Sequence, residues 1–430
     1  MMPIINDGIP MKEYMPRLID DTVEKQLKAV GCVVIEGPKW CGKSTTAKRF
    51  SKSVVELQRA KVLEKYQTYM STEDENVLKG EKPILFDEWQ KLPELWDHIR
   101  WAVDTYGGRG QYIMTGSAKP VEDKDRHSGT GRMAKVVMRP MSLFESMEST
   151  GEVSLGDLFR SVPKISGNSK VTFNRIAYLV CRGGWPESVG SDEEAALLMA
   201  KNYFTSLTDT DITKVDDIKR DPKRARKILR SYARNTSSFA SDTTIRNDVM
   251  STNGTLDDKT LASYLNAFRK LFVIEDIEAW SPKLRSKTTI RTSDKRQFVD
   301  PSIAAAALGA SPNDLIKDLE TFGFLFEGLC IRDLKVYTDK LGGSVNQYRD
   351  SSGLEADAII HLNNGDWGAV EIKLGGNEID EAAKNLLKFK ERVDTDAVRE
   401  PKFLMVLSGL DYAYRRPDGV YVVPIGCLRD

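Results

Sequence analysis

The chain has 430 residues, 40% of them hydrophobic and 29% charged, and its 63 basic and 63 acidic side chains cancel to zero net charge. That length accommodates two to four domains with hydrophobic cores, and the neutral balance excludes a whole-molecule field as the means of holding nucleic acid. Five scattered cysteines (Cys32, Cys41, Cys181, Cys330, Cys427) argue against a disulfide framework or zinc site. Acids and bases run through the first thirty residues, so no secretory signal is expected, and no apolar run reaches the roughly 18 residues of a membrane span. A cytoplasmic protein without membrane contact is expected.

CVVIEGPKWCGKSTTAKRF, residues 32–50, reads as strand, glycine loop and helix. Gly37, Pro38, Lys39, Trp40, Cys41, Gly42, Lys43 and Ser44 fit G-x-x-x-x-G-K-S, with Thr45 next. Glycines let backbone N–H groups approach phosphate oxygens, and the helix that follows points its positive end at them. The expected ligand is ATP with Mg²⁺: Lys43 reaches the β/γ-phosphates and the Ser44 hydroxyl ligates the metal.

In PILFDEWQ a buried parallel strand over 84–86 delivers Asp87 at its C-terminal end, where α/β sheets bind ligands. Asp87 is the expected second metal ligand, and Glu88 polarises the attacking water. GQYIMTGSAK reads as a neighbouring strand that presents Thr115 and Ser117 to the γ-phosphate; the bland alternative is a strand-end turn. On the glycine-rich stretch that follows, Arg126 or Arg132 is placed to act as an arginine finger on a neighbouring subunit, with Arg132 preferred.

GPKWCGKSTT, ILFDEWQ, LWDHIRWAVD, YIMTGS, GTGR, MRPMSLFES and the later RGGWPES resemble a widespread bacterial and archaeal family of predicted AAA+-type ATPases. In that family the ATPase domain precedes a C-terminal domain, long classed as of unknown function, that resembles the PD-(D/E)xK nuclease fold. The resemblance implies ATP hydrolysis and a homo-oligomeric ring, with a hexamer favoured.

KRDPKRARKILRSYAR, residues 219–234, sets Ile228, Leu229 and Tyr232 at helical spacing and its bases opposite. Two further helical patterns and a strand pair follow, the order of a winged helix-turn-helix. Its candidate DNA contacts are Lys259 at the front of the last helix and Lys283, Arg285, Lys287 and Arg291 in a basic wing over 281–296. A solvated basic face that joins subunits is the alternative.

Residues 314–337 read as one helix carrying Glu327 in an apolar surface, an expensive place for a lone carboxylate. Strands then present Asp357 and, fourteen residues later, Glu371 with Lys373 two beyond it on the same face. Asp357 and Glu371 are the expected Mg²⁺ ligands, Lys373 the group that orients water, and Glu327 a fourth polar member. His361 lies on the Asp357 face of its strand.

The expectation is an α/β protein: a P-loop AAA+ ATPase domain (1–150), a helical lid or connector (151–215), a winged-helix module (216–310) and a restriction-endonuclease-like α/β domain (311–430). Its expected function is ATP-driven binding, remodelling or translocation of DNA. An active Mg²⁺-dependent nuclease and a nucleotide-controlled switch that binds protein partners are the alternatives.

Overall fold

The computed structural model describes residues 14–72, 74–118, 129–216, 218–251, 255–281, 293–393 and 399–430. Five parallel strands form the first sheet: β1 (Cys32–Glu36), β2 (Ser53–Glu56), β3 (Ile84–Asp87), β4 (Tyr112–Gly116) and β5 (Met133–Val137), in the order β2-β3-β4-β1-β5. Both faces of a parallel sheet are covered, so β1, β3 and β4 are continuously buried. Side-chain alternation divides the core between them. Cys32 and Val34 join Phe86, Trp89 and Trp96 on one face, while Val33 and Ile35 join Leu85 and Ile113 on the other.

Beyond the first sheet, the later parts of the chain share one core. One hydrophobic cluster runs from Leu143 to Leu428, through the connector helices, the middle module and the C-terminal sheet. That second sheet has seven strands: β7 (Gly167–Asn168), β8 (Gly343–Arg349), β9 (Glu355–Leu362), β10 (Trp367–Lys373), β11 (Leu404–Ser408), β12 (Tyr412–Arg415) and β13 (Tyr421–Pro424). Their order is β7-β12-β13-β11-β10-β9-β8. β7 therefore comes from the stretch expected to be helical connector, and β6 (Val153–Ser154) pairs with β14 (Leu428–Arg429). A connector of this kind cannot be read locally, because its strands are only two residues long and their partners lie more than two hundred residues away.

The middle module stacks helices Pro222–Arg234, Asp242–Met250 and Asp258–Lys270, then an antiparallel ribbon bridged at Ile274–Phe298 and Ile277–Lys295. Asp221, Ser241 and Asp257 cap the three helices by accepting N–H hydrogen bonds. The single helix expected over 314–337 is two, Pro312–Lys317 and Leu319–Leu341. Asp318 leaves the helical region at ψ 82° and accepts from the Thr321 N–H, so it ends one helix and caps the next. All five cysteines are free and buried. Among the described residues no helix is long and apolar enough to cross a membrane.

Candidate functional site

β1 ends at Glu36 and the chain turns at Gly37, with φ 154°. A Cβ there would lie 2.1 Å from the Met138 carbonyl oxygen, so only glycine fits. Lys43 opens the helix Lys43–Phe50 and is nearly buried; its ammonium arches back to donate to the Pro38 carbonyl at 2.6 Å. Around this hollow the loop is anchored residue by residue. Lys39 pairs with Asp211 at 2.6 Å, exposed Trp40 lies 5.8 Å from the Tyr203 ring, and the Cys41 carbonyl accepts from Arg17 at 2.7 Å. Beside Gly42, Thr45 and Thr46 opens a cavity of about 130 Å³, walled by Met15, Met138 and Pro186.

The acids stand at the same end of the sheet. Ser44 Oγ donates to Asp87 Oδ1 at 2.6 Å, and Thr115 Oγ1 donates to the same oxygen. Glu88 takes a left-handed backbone (φ 58°), and its carboxylate accepts from Ser117 Oγ at 2.9 Å and from Gln90 Nε2. Thr115 and Ser117, expected to face phosphate, are thus committed here to orienting the two acids. A hydroxyl and a carboxylate oxygen in contact are hard donors of the kind Mg²⁺ takes, so Ser44 and Asp87 fit the metal that the loop implies.

Arg132 precedes β5, at the sheet end opposite the loop and about 16 Å away by the rise of five strand residues. It is half-exposed and pairs with Asp104 at 2.6 Å. Its guanidinium does not reach this chain's own loop. Arg126 lies outside the described residues, as do Lys283, Arg285, Lys287 and Arg291. Lys259 is exposed in the first turn of its helix.

Sequence reasoning missed the buried brace of the loop. Arg17 is ion-paired with Glu145 at 3.0 Å and donates to the Cys41 and Arg139 carbonyls. Nothing in the spacing of residues 128 apart signals this.

The C-terminal acids do converge. Asp357 on β9 spends Oδ2 on the Ile372 N–H at 2.9 Å, which turns its carboxylate toward β10 and Glu371. Lys373 Nζ lies 3.8 Å from Glu371 Oε2. Glu327 reaches in from the helix Leu319–Leu341 and is buried, as expected. Its partner was not expected: Lys295, read as part of a basic, phosphate-gripping wing, is 4% exposed, and its ammonium lies 2.6 Å from Glu327 Oε1 and 2.9 Å from Asp357 Oδ1. His361 stands apart, with its ring 6.4 Å from that of Trp280.

Burial dominates the electrostatics of this cluster. It pushes Glu327 up to about 7 against the opposing pull of Lys295, and burial with the neighbouring Asp357 pushes Glu371 well above the usual carboxylate range. Asp357 is buried too, yet the Lys295 ammonium and the Ile372 N–H bring it down to about 2. Burial opposes the charge on Lys295, but Asp357 and Glu327 more than compensate and hold its pKa above the usual lysine value. The set presented to a metal is two carboxylates already facing the Lys295 ammonium, with Glu371 facing Asp357 and Lys373. It does not fit a divalent cation as it stands.

Comparison with known proteins matches three successive stretches of the chain. Residues 30–147 match the family described as "AAA domain", residues 173–314 match "Domain of unknown function (DUF8612)", and residues 322–428 match "Domain of unknown function (DUF4143)". No curated protein matches the chain. Among solved structures, the Walker-type ATPase PABY2304 of Pyrococcus abyssi is similar over 67% of this chain and 94% of its own, at 17% identity and a TM-score of 0.43. The AAA match falls on the glycine loop and the Asp87–Glu88 strand end, and it makes the front of the chain a nucleotide-hydrolysing domain. The protein is an ATPase.

Proposed function

We propose that the protein couples ATP hydrolysis to work on duplex DNA, as a homo-oligomeric ring of AAA+ type. The observation that carries the DNA assignment is the middle module. Two helices, Asp242–Met250 and Asp258–Lys270, are followed by an antiparallel ribbon in the manner of a winged helix-turn-helix. Lys259, Ala262 and Asn266 form the exposed face of the second helix, and Lys223, Lys227 and Arg230 line the exposed face of the first helix of the module. Bases arranged in this way hold phosphates without reading sequence.

In the ATPase domain, Lys43, which now donates to the Pro38 carbonyl, would turn to the β/γ-phosphates, and Ser44 and Asp87 would hold Mg²⁺, which would screen the charge on those oxygens. Glu88 takes a proton from the attacking water, with Ser117 and Gln90 fixing its carboxylate. Arg132 completes a neighbour's site. The C-terminal domain we read as restriction-endonuclease-like. Supporting this, the helix Leu319–Leu341, β8, β9, β10, the helix Ile379–Arg392 and β11 follow in the order of an αβββαβ core.

DNA-binding and ATP-turnover measurements at increasing salt test the reading. Affinity should fall linearly on a log–log plot, turnover should rise with DNA, and replacing Lys223, Lys227 and Arg230 by Ala should weaken both. Turnover indifferent to DNA, with no salt-dependent binding, would instead favour a nucleotide-controlled switch acting on protein partners.

A further inference from the structure

The acids of the C-terminal cluster come from separate elements: Glu327 from a helix, Asp357 from β9 and Glu371 from β10. Carboxylates removed from water repel one another and lose their hydration, so such a set must either take up protons or face a positive charge. Nuclease-like sites supply it with a divalent ion. Here the chain supplies it. Lys295 sits on the ribbon of the middle module, held by reciprocal hydrogen bonds of 2.9 Å with the Ile277 backbone. From there its side chain reaches the gap between Glu327 and Asp357, at 2.6 and 2.9 Å.

We propose that Lys295 is the resident cation of this cluster, occupying the place a divalent metal would take and making the pocket metal-independent. Mg²⁺ requires oxygens at about 2.0–2.1 Å. Bound to these same carboxylates, it would stand beside the ammonium and bring three positive charges together in a buried space. Lys295 would have to withdraw first, from a position in which its backbone is bridged to Ile277 and its side chain is 4% exposed. The cleft above, about 540 Å³, is lined by Glu320, Glu355 and Glu378 as well as Glu327 and Asp357, with Lys373 as its cation beside Lys295. The inference requires no nuclease ancestry, since the acids face the Lys295 ammonium whatever the origin of the domain. It does make Lys295 the reason a nuclease-like fold would not cleave.

The probe is Mn²⁺ itself, titrated into the full chain without nucleotide and followed by electron paramagnetic resonance and by the thermal midpoint. The wild-type chain should show no Mn²⁺ site that Asp357→Asn removes. Lys295→Met, which keeps the volume and deletes the charge, should melt lower, gain one bound Mn²⁺ per chain, and recover part of the lost midpoint when the ion binds. Adding Asp357→Asn should abolish that gain. Where Lys295→Met does not fold, Lys295→Met with Glu327→Gln removes one of the two stranded charges and carries the same expectation. Mn²⁺ bound by the wild-type chain through Asp357 would overturn the proposal. So would a folded Lys295 variant that binds none, since the acids would then not be a cation site at all. Loss of DNA-stimulated turnover, by contrast, bears on the proposed function and not on this one.

Discussion

Arg139, at the exit of the ATPase sheet, grips Glu275 of the middle module with its Nε, which lies 2.9 and 3.1 Å from the two carboxylate oxygens. The same guanidinium also pairs with Asp339 on the long C-terminal helix, while Lys335 from that helix donates to the Glu275 carbonyl at 3.0 Å. Three parts of the chain meet at one arginine.

That junction should titrate. Burial alone would raise the Glu275 carboxyl, but Arg139 and Lys335 outweigh it and bring it to about 2, from an ordinary 4.5. A folded pKa below the unfolded one means that the unfolded chain binds the proton first. The contribution of Glu275 is therefore complete above about pH 4.5 and is lost as pH falls toward 2. Urea unfolding at a series of pH values should show wild type more stable than Glu275→Gln above pH 5, with the gap closing between 4.5 and 2. A constant gap would mean that Glu275 contributes through shape alone.

Glu88→Gln should separate binding from chemistry. The amide can keep the hydrogen bond from Ser117 but cannot take a proton from water. Removing a positioned general base typically costs about 10²–10⁴-fold in rate. Phosphate release should fall within that range while a fluorescent nucleotide binds as before. Loss of nucleotide affinity comparable to the loss of rate would make Glu88 part of the binding surface instead.

Arg17→Met should be costly out of proportion to its distance from any phosphate. The change strands Glu145, which is buried and otherwise holds the Ser142 and Leu18 N–H groups. Breaking one side of a buried pair costs about 3–5 kcal/mol. Adding Glu145→Gln should return part of this, and chemical denaturation of the single and double variants measures both. Recovery in the double variant is the expected sign of charge stranding; equal losses would indicate a packing defect.

The parts of the protein legible in its sequence are those that a few consecutive residues specify. Gly37 to Ser44 carry their own geometry, and Ile84 to Glu88 carry theirs, so loop, strand and acids stand as expected. Asp357, Glu371 and Lys373 follow from strand alternation. Lys295 does not. Its charge and its neighbours Arg296 and Ser293 resemble a basic, phosphate-gripping wing, and only the approach of β9, some sixty residues later, shows that it points inward. Asp318 misleads for a related reason: periodicity continues through it, and its double capping role appears only in its dihedral angles. Local chemistry is written locally, whereas a partner's identity is settled by topology.

The exposed indole in the glycine loop has an optical consequence. Trp40 and Trp101 are the large-surface tryptophans, at 53% and 51% exposure, while Trp89, Trp96, Trp185, Trp280 and Trp367 are buried. With Trp101→Phe, the long-wavelength, quencher-accessible emission of the chain would come from Trp40 alone, two residues from Gly42 and three from Lys43. Tyr203 is 5.8 Å from Trp40 and stacks at 4.3 Å on Trp185, so the loop is coupled through one tyrosine to a buried indole. The protein carries a native fluorophore at the lip of its nucleotide hollow, and occupancy can be followed as emitted light without attaching a dye.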